Sequence, residues 1–183
     1  MKPIENYENV QASSGEFARP MAGGYICMIT KVEDVPYDAT TDKGNYLKIE
    51  YDIATGDFKG YYSDAFQKFG GSWWAKFVRS YKESAVGMFK HFTNCVEASN
   101  GGYKWDWNEQ GLRGKLIGLV FGEEEYVGND GAIKTRLIVT HVKTVEEIKN
   151  GDFKVPEIKR LPASVVDAVS SSVPVGVDDD APF

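Results

Sequence analysis

Apolar and polar positions first fall into order at Gly24, where Tyr25-Ile26-Cys27-Met28-Ile29-Thr30-Lys31-Val32 form an apolar, β-branched run that predicts a strand. A polar loop follows from Asp34 to Gly44, with Pro36, Asp38 and Asp42 as breakers. Residues 46–53 then alternate without a break. Leu47, Ile49, Tyr51 and Ile53 take one face, and Tyr46, Lys48, Glu50 and Asp52 the other, which predicts a half-buried strand. Thr55-Gly56-Asp57 reads as a turn, so 58–66 is expected to return as the hairpin partner. Beyond Trp73 the period changes. Trp74, Val78, Tyr81, Ala85, Met88, Phe92, Cys95 and Ser99 step by fours and threes, which predicts one helix of about seven turns. Asn100-Gly101-Gly102 should stop it. Residues 113–126 and 132–142 read as two long strands joined through Gly128-Asn129-Asp130-Gly131, an Asp-Gly hairpin signal.

Both ends are polar. Residues 1–20 read as an irregular arm, and past Leu161 no large apolar side chain appears until Phe183. That tail cannot bury enough surface to offset its ordering entropy, so it is expected to be disordered. The order strand, strand, strand, helix, strand, strand predicts a mainly β protein. It is the order of an OB-fold, a five-stranded Greek-key barrel, with one long helix between strands 3 and 4. A β-sandwich or another α+β domain is the alternative. The expected organisation is one OB-fold domain over 1–161 and a disordered acidic tail over 162–183.

Catalytic chemistry finds little support. His91 and Cys95 stand four apart on the expected helix, but no CxxC or HxxxH completes a zinc set, and Cys95 belongs to the apolar stripe. Gly111-Leu112-Arg113-Gly114-Lys115-Leu116 has too few residues between its glycines for a phosphate-binding loop, and Leu where Ser or Thr is needed. Glu123-Glu124-Glu125 reads as a solvated hairpin end. With two histidines, Ser-His-Asp catalysis is hard to support. The chain therefore reads as a non-enzyme with no metal and no cofactor. No apolar window could span a membrane. The start lacks an apolar leader, and two cysteines do not make a disulfide framework, so a reducing cytoplasm is expected.

The net charge of −6 conceals its distribution. The last 22 residues hold four acids and no base, leaving −2 on the body, and residues 59–104 carry a local +4. A local field of that sign suits a polyanion. Residues 58–107 also hold 14 of the 24 aromatic residues and every tryptophan. Cations interleaved with flat rings suit single-stranded nucleic acid, where bases stack without being read. On the expected faces, Tyr46, Lys48, Lys59, Tyr61, Lys134 and Arg136 look outward, while Phe69, Trp73 and Lys76 sit near the strand-to-helix junction. These nine are the candidate single-stranded DNA contacts. Trp74, Tyr81 and Phe92 are expected in the core, and Trp105 and Trp107 could plug a barrel end.

The last six residues, Asp178-Asp179-Asp180-Ala181-Pro182-Phe183, place three acids before a Pro and a C-terminal Phe. This resembles the tail of bacterial single-stranded DNA-binding proteins, whose acidic tip docks on replication and repair enzymes. The resemblance implies steering by Asp178, Asp179 and Asp180, an approach fixed by Pro182 and an anchor in Phe183, a C-terminal capture mode. Ala181 departs from it, since that family has a larger aliphatic residue there. The body resembles instead a family of phage and prophage proteins of Gram-positive hosts, through Tyr46–Ile53, Gly56–Tyr62, Gly151–Pro156 and the span from Arg113 to Arg136. Together the resemblances imply a cytoplasmic phage protein that coats single-stranded DNA without sequence preference during replication and recombination. Its tip would recruit host or phage partners; homo-oligomer formation is left open. An interaction adaptor of the recombination machinery without DNA binding, and a carbohydrate-binding β domain, are the alternatives.

Overall fold

The computed structural model describes residues 18–41, 43–71 and 73–172. Its centre is one antiparallel sheet. Strands β1 (Gly23–Val35), β2 (Tyr46–Ile53), β3 (Lys76–Ser80), β4 (Leu116–Val127) and β5 (Ile133–Lys143) lie in the order β3-β2-β1-β4-β5. Helices are α1 (Tyr61–Phe69), α2 (Val86–Ser99), α3 (Val145–Asn150) and α4 (Ala163–Ser172). The protein is mainly β, and the sheet is open: β3 and β5 are its two edges.

The alternation of β2 decides which face is the core. Leu47, Ile49, Tyr51 and Ile53 are all buried, as their period of two requires. β4 continues that face with Ile117, Leu119 and Phe121, and β5 with Val139 and Leu137. Helix α2 lays Phe89, Phe92, Cys95 and Val96 onto it. The helix ends as its Asn-Gly-Gly stop implies. The Asn100 side chain spans from helix to sheet, donating to Val96 O and Leu116 O and accepting from Leu116 N.

The opposite face of β1 and β4 is covered by α3 and the strap after it, and there glycine is required by close approach. A Cβ on Gly24 would lie 2.4 Å from the Phe153 ring, and one on Gly122 would lie 2.8 Å from both Pro156 and Thr140. The strap then runs beside β4. Glu125 N donates to Lys159 O and Lys159 N to Glu123 O, each at 2.9 Å.

Two expected elements exchange character. Residues 58–66 do not return as a strand: after a turn at Gly56–Gly60 the chain enters α1. The partner of β2 is β3, Lys76–Ser80, which the helical periodicity had claimed. The long helix accordingly begins at Val86, not near Trp73. Phe92 and Cys95 are core as expected, Tyr81 is half-buried, and Trp74, Val78 and Met88 are exposed. Helical structure extends over Ala163–Ser172, into the stretch read as a disordered tail. The arm residues 1–17 and the tip Asp178, Asp179, Asp180, Ala181, Pro182 and Phe183 lie outside the described residues. No described helix is long and apolar enough to cross a membrane.

Candidate functional site

The core face does not close. Where β3 and β5 stand apart, it opens into a cleft of about 780 Å³. One wall comes from α1, through Tyr61, Tyr62, Ala65 and Phe69, and from the entry to β3, through Trp73, Trp74 and Lys76. The other comes from Glu123 on β4 and from Thr135, Arg136 and Leu137 on β5. Arg19, Pro20 and Met21, leading into β1, complete the rim.

The α1 wall is held from beneath by Asp52, which is 5% exposed. Gly60, the residue preceding the helix, has φ 75° and no side chain with which to cap it. Asp52 does so from β2: its carboxylate accepts from Tyr62 N at 3.0 Å and Ser63 N at 3.1 Å, and from the Ser63 hydroxyl. A carboxylate there satisfies backbone N–H groups that the first turn leaves without partners and complements the helix dipole.

The rings brace one another. Tyr61 and Tyr62 meet edge to face at 5.1 Å, Tyr62 meets Trp74 at 6.4 Å, and Phe66 meets Trp73 at 5.8 Å. Trp73 Nε1 donates to Ala75 O at 3.0 Å, which fixes the indole plane. Trp74 remains 48% exposed and Phe69 64%. Such large apolar rings held open beside cations are the informative departure from ordinary burial. Burial raises the pKa of the Tyr61 hydroxyl, against the opposing pull of the nearby Arg19 charge.

Of the nine residues singled out from sequence, the cleft gathers five: Tyr61, Phe69, Trp73, Lys76 and Arg136. The other four do not line it. Tyr46 and Lys48 lie on the non-core face of β2, and Lys48 is ion-paired to Glu33 at 3.1 Å. Lys59 is exposed in the turn before α1. Lys134 is tied to Asp130 at 2.6 Å at the hairpin end. Sequence reasoning missed Arg19, Trp74 and Glu123. The glutamate run is not a free hairpin end either. Glu124 pairs with Arg136 at 2.7 Å and with Lys159, and Glu125 with Arg160 at 3.2 Å. The Lys159 and Arg136 hydrogen bonds hold the Glu124 carboxyl below its usual range.

His91 and Cys95 do not line the cleft. Cys95 Sγ lies 3.5 Å from His91 Nε2, which itself approaches Val142 O at 3.0 Å. Burial pushes the Cys95 thiol up to about 11, away from a reactive thiolate. No group of three or more His, Cys, Asp or Glu among the described residues could hold a metal ion. Leu112 of the Gly-Leu-Arg-Gly segment is core. Trp105 packs partly against the core, whereas Trp107 is 77% exposed.

No protein-family model matches the chain, and no curated protein is similar enough to count as a relative.

Proposed function

We propose that the protein binds single-stranded DNA in the cleft between β3 and β5 and acts by binding, without catalysis. The observation that supports this most is the convergence there of exposed rings, Trp74 and Phe69, with the cations Arg19 and Lys76. Rings of this kind stack on bases of any identity, and cations beside them follow the phosphates. Arg136 lines the cleft from β5, but its guanidinium gives Nε and Nη2 to Glu124 on the other face of the sheet. In this reading the sheet is a partly open OB-type barrel whose unclosed seam is the binding site. The protein would serve phage replication or recombination, with the tip ending in Phe183 recruiting host or phage proteins.

Fluorescence anisotropy with labelled oligo-dT and with duplex of equal length tests the reading. Two cations on phosphates should give a log affinity that falls with log salt at a slope of about −1.4, from about −0.7 per phosphate on a single strand. The duplex, whose bases show no free faces, should bind much more weakly. Affinity that ignores salt, or equal binding of both forms, would overturn the proposal.

A further inference from the structure

We propose that Glu123 discriminates among bases in the cleft, favouring those that present an exocyclic amino group over thymine; this rests on the cleft being a single-strand site. The position of Glu123 is unusual for a carboxylate. On β4 the core face runs Ile117, Leu119 and Phe121, and Glu123 is the next residue in that series, where the core opens into the cleft. Its neighbours Glu124 and Glu125 are neutralised by Arg136, Lys159 and Arg160. Among the described residues the Glu123 carboxylate has no such partner: its backbone carbonyl accepts from Lys159 N, but its side chain makes no hydrogen bond or ion pair. Water can serve this half-buried carboxylate in the free protein, but a strand filling the cleft would displace that water and would have to supply donors in its place.

An ionised carboxylate only accepts hydrogen bonds. It repels phosphate, so a strand in the cleft would place its backbone toward Arg19 and Lys76 and leave its base edges to Glu123. The cytosine 4-amino group can donate to a carboxylate. Thymine has one N–H on that edge, flanked on both sides by carbonyl oxygens that a carboxylate repels. The cleft should therefore bind without strict sequence demand, yet not with equal affinity for every base.

The test compares oligo-dC with oligo-dT of equal length on wild type, Glu123→Gln and Glu123→Ala, with melting curves confirming that each variant is folded. Wild type should prefer oligo-dC by about fivefold to tenfold, the lower end of what one good base contact gives. Glu123→Gln, which can donate as well as accept, should gain affinity mainly for oligo-dT and bring the ratio near one. Glu123→Ala should also lose the preference. A wild type that binds both oligonucleotides equally would overturn the inference while leaving the single-strand reading intact. So would equal gains for both in Glu123→Gln, because the glutamate would then act only as a charge. If neither oligonucleotide binds wild type, the single-strand reading itself fails.

Discussion

Replacing Trp74 and Phe69 together by alanine should weaken oligo-dT binding by about thirtyfold or more, since each base–ring stack contributes on the order of 1–3 kcal/mol. The fold should barely respond. Both rings are largely exposed, at 48% and 64%, so little buried apolar area is lost with them. Trp74 does touch Tyr62 edge to face, and Lys68 lies 5.4 Å over the Phe69 ring, but exposed contacts of this size contribute little. Anisotropy and thermal melting on the same preparation separate the two effects. A variant that binds as wild type would mean that the strand does not stack in the cleft. A variant that melts many degrees lower would mean that these rings are part of the core.

Asp52→Ala should act in the opposite manner, on the fold first and on binding through it. The substitution leaves the N–H groups of Ile53, Tyr62 and Ser63 and the Ser63 hydroxyl without their acceptor. At about 1–3 kcal/mol for each buried group left unpaired, and allowing for water reaching some of them, the loss is about 3 kcal/mol or more. Because α1 carries Tyr61 and Phe69, the cleft wall loosens with it. Asp52→Asn keeps one oxygen able to accept and should fall between. Urea denaturation checks the order wild type, Asn, Ala. Equal stability of all three would show that α1 is positioned by its apolar face, through Tyr62 and Ala65, and not by the carboxylate.

Asp52 also shows where sequence pattern stops being informative. On the alternation of β2 it belongs to the outward face with Lys48 and Glu50, yet it is buried, because the helix it caps lies ten residues further along the chain. The same cause lies behind the exchange of α1 and β3. Phe58, Tyr62 and Phe66 are four apart, a spacing that satisfies both a period of two and a helical face, and Tyr and Phe lean toward strands. What decides in favour of helix is Gly60 in a left-handed conformation and a cap from another strand, neither visible locally. Conversely, Lys76–Ser80 is short and its Val78 fits the three-four step leading into α2, so its pairing with β2 was hidden. Where a segment was long and its period unambiguous, as in β1, β2, β4 and β5, pattern alone located it.

The site followed the same division. The aromatic and basic centre of the chain was legible, and Tyr61, Phe69, Trp73, Lys76 and Arg136 come from it. Lys48 and Lys134 were plausible as free cations only because their partners, Glu33 on β1 and Asp130 in the turn, depend on register and hairpin geometry. Arg19 sits in what reads as an arm, and Glu123 in what reads as a charged hairpin end. Only the β3–β5 gap brings them beside the rings.

The central claim is that a single strand lies against the cleft rings, and tryptophan emission reports on it directly. In a Trp105→Phe/Trp107→Phe variant the only remaining tryptophans are Trp73 and Trp74, both lining the cleft. Titration with oligo-dT should quench their emission along the same saturation curve that anisotropy gives. Emission that stays constant while anisotropy saturates would place the strand elsewhere on the protein and contradict the account.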